Sequence, residues 1–102
     1  MNSLSNKVVD IKGNNRSVFH KLERIKRQER FRNIHLLQFE SLTKRELEII
    51  TFIVLGYNNP KIALQLSISR NTVEQHRKNI NKKLKVNSFP KLFEYALAFD
   101  II

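Results

Sequence analysis

Cysteine is absent from this chain of 102 residues, which excludes disulfides, thiolate nucleophiles and thiolate metal sites and fits a reducing cytoplasm. Glycine occurs twice, at Gly13 and Gly56, so no glycine-rich loop can cradle a phosphate. The three histidines, His20, His35 and His76, lack the spacing of a metal-binding pair. Long apolar runs are missing too. The longest, Ile49 to Leu55, is interrupted by Thr51 and falls far short of the roughly 20 residues that a membrane span needs. The polar N-terminus lacks the pattern of a signal peptide. No catalytic constellation, cofactor motif or metal site emerges, and the expectation is a non-enzymatic cytoplasmic protein with no membrane partner and no cofactor.

What the chain has in plenty is positive charge. Nineteen Lys and Arg against nine Asp and Glu give a net charge of +10 and a pI near 10.3, which favours a polyanionic partner. Residues 1–40 carry nine bases and four acids and residues 41–102 ten and five, so each part is equally basic and the charge is not a tail. One small domain with an arm is the expected organisation.

Residues 1–16 mix small and amide residues without period and read as a flexible leader. From Ser17 to about residue 40 the positions Val18, Phe19, Leu22, Ile25, Phe31, Ile34 and Leu37 return at three- and four-residue steps, predicting an amphipathic basic helix. Its stripe weakens at Gln28 and Glu29, where a bend or break is expected. "SLTKREL" predicts a second start, with Thr43 as cap and Glu46 completing a capping box. The apolar helix that follows should end at Gly56 in the left-handed conformation. In "YNNPKIALQL", Asn59 is the expected cap and Pro60 the first helical residue. "SIS" is a tight turn, and Ser69 caps a helix over about 70–85, making a helix-turn-helix unit. Ser88 caps a last helix from Phe89 to about Asp100. The expected fold is all-α.

On the helix over 70–85, Ile80 and Leu84 fall within about 20° of Val73 and define its buried side. Asn71, Gln75, Lys78 and Lys82 lie within about 40° of the opposite side, flanked by Glu74, Asn79 and Lys85. Amides and cations are the chemistry of major-groove readout: Lys donates to guanine, Asn or Gln bonds adenine bidentately, and Glu accepts from cytosine. The alternative is a solvated Lys-rich face. A polar second helix after a short turn, presented outward, favours insertion into double-stranded DNA.

"LTKRELE", followed by "IITFIVLGYNNPKIALQLSISRNTVEQHRKNINKKLKV" and a closing "YALAF", resembles the LuxR-type (GerE- or FixJ-type) DNA-binding domain over about Ser41 to Ile102. The resemblance implies a four-helix domain in 41–102 that binds inverted half-sites as a homodimer, and a transcriptional regulator. It puts base contacts on Glu74, Gln75 and Lys78, joined by Asn71 from the ridge. Phosphate candidates are Thr43, Ser69, Thr72, Arg77, Asn79 and Lys82. Arg77 lies near the core edge, so packing or an ion pair with Glu46 is an equal reading. Pro60 stands where the family usually has Lys, which removes a phosphate contact, and Glu74 replaces a basic or polar reader. His76 reads as a buried or phosphate-adjacent imidazole. On the last helix Leu92, Ala96 and Phe99 form one apolar set. Phe89, Phe93 and Leu97 form another, either the dimer interface implied by the family or a surface packed on the N-terminal helix. Residues 17–40 are a linker or dimerisation arm. The competing reading is a protein-interaction module that docks on RNA polymerase or another regulator through residues 17–39.

Overall fold

The computed structural model describes the backbone from Ile11 and side chains from Arg16 to Ile102. Residues 1–10, most of the expected leader, lie outside the described residues. Five helices and no strand are found among those described: α1 (Ile11–Glu40), α2 (Lys44–Val54), α3 (Asn59–Leu66), α4 (Arg70–Leu84) and α5 (Phe89–Ala98).

Helix α1 departs from expectation twice. It begins at Ile11 rather than Ser17, and it is one element through Gln28 and Glu29. Extending a formed helix adds a hydrogen bond per residue, which offsets the poor propensity of Gly13 and its neighbouring asparagines. Gln and Glu are good helix formers, so a gap in the apolar stripe removes packing there without removing helicity.

Contacts divide the chain into a unit that ends at Arg30 and a compact unit spanning Phe31–Ile102. In the first unit Val18, Phe19, Leu22 and Ile25 are all exposed. The compact unit starts ten residues before the Ser41 boundary expected from the motifs. Phe39 stacks on Phe99 with ring centroids 4.0 Å apart and planes within 2°, and Phe31 meets the edge of Tyr95 at 4.9 Å. The Arg32 guanidinium donates to the Ala98 carbonyl at 2.8 Å. Of the stripe suggested by apolar spacing, Phe31 packs on this face, whereas Ile34 and Leu37 remain 70% and 80% exposed.

Around α2 the core closes with Ile49, Ile50, Ile53, Ile62, Val73, Ile80, Leu84, Leu92 and Tyr95, all buried. The α2 helix contacts α3, α4 and α5, and α3 packs on α4. Local chemistry sets the junctions. Thr43 and Glu46 form the expected capping box. Gly56, at φ 96°, lets its N–H reach the Ile53 carbonyl and that of Tyr57 reach Phe52, the paired bonds that close a helix through a left-handed residue. The cap of α3 is Asn58, one residue earlier than expected: extended at φ −86° and ψ 171°, it accepts from the Lys61 N–H. Pro60 becomes the second helical residue rather than the first, still in the first turn, where no donor is missed. Ser67, left-handed at φ 56°, ends α3, Ile68 turns, and the Ser69 hydroxyl accepts from the Thr72 N–H to start α4.

Candidate nucleic-acid interface

Val73, Ile80 and Leu84 are 0%, 1% and 2% exposed, so α4 is held by one stripe and its orientation follows. Asn71, Glu74, Gln75, Lys78, Lys82 and Lys85 are exposed on the other side, with Asn79 half-buried at its margin. The Gln75 side-chain amide donates to Asn79 Oδ1 at 3.2 Å, holding the two side chains in register without consuming their remaining donors and acceptors. Arg70, Lys78, Lys82 and Lys85 are exposed against Glu74 alone, a positive strip that attracts phosphate.

At the start of α4, Ser69 and Thr72 are exposed and their hydroxyls lie 2.8 Å apart. The first backbone amides of a helix and its dipole favour an anion at such an end. Thr43, at the start of α2, is also exposed. Its hydroxyl accepts from the Glu46 N–H at 3.0 Å, and its backbone N–H donates to Glu46 Oε1 at 2.8 Å.

Arg77 is not gathered with these groups, and its suggested ion pair with Glu46 is not formed. Glu46 instead binds Lys83, with Nζ to Oε1 at 2.8 Å. The cause is helical geometry: six residues separate the two cations, which puts them about 120° apart on α4. Lys83 faces the start of α2, whereas Arg77 is half-buried in the wall of clefts lined by Ile53, Asn58, Asn81, Ser88 and Phe89. Lys83 is a residue that the sequence reading missed. The only signal for it was an unassigned cation on the flank of α4 facing the capping box.

Glu46 is 3% exposed. Burial pushes its carboxyl up, but the hydrogen bond from Lys83, the Thr43 amide, the Lys83 charge and the Thr43 hydroxyl outweigh it and hold it below the ordinary carboxylate value. His76 is half-buried. Of the expected interface on α5, Phe89 and Leu97 are 50% and 40% exposed and Phe93 is half-buried, with the Phe89 and Phe93 rings stacked at 5.7 Å. The C-terminal part of α1 packs on Tyr95 and Phe99. Among the described residues no group of three or more His, Asp or Glu could hold a metal ion, and no helix is long and apolar enough to cross a membrane.

Known proteins are similar to part of this chain. The Oxygen regulatory protein NreC of Staphylococcus carnosus (strain TM300) is 51% identical over 59 residues, covering 58% of this chain and 27% of that protein. The protein of the same name from Staphylococcus aureus (strain JH9) matches with the same identity and coverage. The chain thus spans about a quarter of the length of these relatives. No solved structure gives a significant match. The family of bacterial regulatory proteins called GerE, or luxR, matches residues 40–96, the segment in which capped α2, the α3–turn–α4 pair and α5 assemble. That match covers more than half of the sequence, and the chain belongs to the luxR family of bacterial regulatory proteins, carrying its DNA-binding helix-turn-helix domain.

Proposed function

We propose that the chain is a sequence-specific transcriptional regulator that inserts α4 into the major groove and binds as a homodimer. The observation that carries this is the exposure of Asn71, Glu74, Gln75 and Lys78 on the side of α4 opposite buried Val73, Ile80 and Leu84. These four read base edges; Thr43, Ser69, Thr72, Asn79 and Lys82 meet phosphates, and half-buried Arg77 is left out of the readout. A second copy covers Phe89, Phe93 and Leu97, since a pair of half-site readers needs a two-fold partner.

Selection from random duplexes tests the reading. A single enriched motif is expected. Gln75→Ala or Lys78→Ala then relaxes preference at one position, costing about 1 to 3 kcal/mol for a lost bidentate contact. Lys82→Ala weakens all duplexes alike and lowers the log–log salt slope by about 0.9. No enriched motif, or equal effects of all three substitutions on every duplex, would overturn base reading.

The exposed Val18, Phe19, Leu22 and Ile25 favour a second role for residues 17–39, docking on a protein such as RNA polymerase or another regulator. Leu22→Asp should abolish binding to purified polymerase while leaving DNA affinity unchanged. Retained polymerase binding removes this role.

A further inference from the structure

Two of the proposed DNA-contacting elements start far apart in sequence, at Thr43 and at Ser69, yet they must grip one duplex together. Their relative placement depends on something that joins α2 to α4. The Lys83 ammonium spans them: it donates to the Ser41 carbonyl at 2.9 Å and to Glu46 Oε1 at 2.8 Å. The same carboxylate oxygen accepts the Thr43 backbone N–H at 2.8 Å. One buried carboxylate therefore holds both the cap of α2 and the recognition helix.

We infer that Lys83 is a positioning residue for DNA binding, tying the capped start of α2 to α4 so that Thr43 and the outward ridge of α4 engage the duplex as one rigid surface. The inference rests on the DNA-binding reading above. Lys83 differs from Lys78 and Lys82, which are exposed on the ridge, in that it is half-buried and has its ammonium committed to two internal acceptors. A lysine used in this way adds little counterion release, because it is already neutralised by Glu46 before DNA arrives.

Two variants separate this role from a phosphate contact. Lys83→Met removes a cation, and a loss of affinity there alone would be ambiguous. Glu46→Leu removes an acid from a DNA-binding protein, so simple electrostatics requires tighter binding, whereas loss of the tie requires weaker binding. The change leaves the Lys83 ammonium and the Thr43 N–H without their shared acceptor, which is costly at a buried position, so the variant is compared only where it is folded. Thr43→Val in each background reports whether the α2 contact is still made.

The experiment measures affinity of the full chain for its selected duplex and for a random duplex across salt, at a temperature where circular dichroism shows each variant folded. Binding by the parent chain is established first; if it binds no duplex, the DNA-binding reading fails and the inference falls with it. Given parent binding, Lys83→Met and Glu46→Leu should each lower affinity about tenfold on both duplexes, with the salt slope of the parent retained. Thr43→Val should cost several-fold in the parent and nothing in either variant, and Lys83→Arg should restore most of the affinity. A slope reduced by about 0.9 in Lys83→Met, as expected for Lys82→Met, would make Lys83 a phosphate contact and overturn the inference. It is equally overturned if Glu46→Leu binds more tightly, or if Thr43→Val costs the same in all backgrounds.

Discussion

Phe39→Ala isolates the question of where the folded unit begins. The ring is half-buried and lies on Phe99 at 4.0 Å with nearly parallel planes, although it is contributed by the last turn of α1, at the edge of the segment that matches the family. Half of a phenylalanine's burial is worth about 1 kcal/mol, and an aromatic pair adds about 0.5 to 1.5 kcal/mol. Truncation to Ala should thus cost about 2 kcal/mol. A unit of roughly 70 residues has about 4 to 11 kcal/mol in total, so this change is a large fraction of its stability and should lower the melting temperature by about 8 to 16 °C. Urea denaturation of the full chain, followed by circular dichroism, gives the number directly. Leu37→Ala, two residues away on the same helix but 80% exposed, is the internal control and should stay within about 0.5 kcal/mol. Combining Phe39→Ala with Phe99→Ala should recover a coupling of about 1 kcal/mol. If Phe39→Ala and Leu37→Ala are indistinguishable, the C-terminal part of α1 does not belong to the cooperative unit and the boundary at Phe31 is refuted.

The depressed carboxyl of Glu46 makes a pH-dependent contribution. A group whose folded pKa lies below its unfolded value stabilises fully above the latter and loses that contribution as pH falls through the folded value. Relative to Glu46→Gln, the parent chain should be more stable by about 1 to 2 kcal/mol at pH 7, and melting curves should show the advantage shrinking between about pH 5 and pH 3; a constant gap over that range would contradict the assignment. Tyr95→Phe removes a hydroxyl that lies 3.2 Å from the Leu84 carbonyl and 3.1 Å from His35 Nδ1. It should cost about 1 to 2 kcal/mol with an unchanged urea m-value, and a cost near zero would mean that water replaces the hydroxyl. Glu74 is an exposed acid on a cationic helix. Glu74→Gln should raise affinity for random duplexes and erase preference for cytosine at one position of the selected motif; a uniform gain without loss of preference would leave Glu74 no reading role.

The parts of the fold legible in the sequence are those decided within one helical turn. Thr43 with Glu46, Ser69 and Ser88 all cap as their spacing indicates, because the donor and acceptor are three residues apart and the backbone brings them together whatever the tertiary context. Gly56 ends α2 for a similar reason, since the reversal needs a positive φ and the glycine supplies it at no steric cost. Where two neighbouring residues have the same chemistry, as Asn58 and Asn59 do, the local rule loses resolution, and the cap falls one residue from the expected place. The buried stripe of α4 was legible because only Val73, Ile80 and Leu84 repeat at helical spacing on a helix otherwise polar, leaving one possible inward face.

Long-range choices among equivalent residues were not legible, and α1 and α4 show why. Helix α1 has apolar residues on several faces, so periodicity predicts a helix without saying which side is covered; the answer comes from Tyr95 on α5 and Phe99 just after it, which select Phe31, His35 and Phe39 and leave Ile34 exposed. The partner of Glu46 was open in the same way. Arg77 and Lys83 both lie on α4 near its buried edge, and sequence spacing relative to residue 46 ranks neither. What decides is the flank of α4 that α2 meets, a property of helix packing that places Lys83 against Ser41 and Glu46 and turns Arg77 toward Ser88 and Phe89. The exchange bears on the proposed interface, because it commits one cation of α4 to internal acceptors and makes it the connection between the capped start of α2 and the last turn of α4.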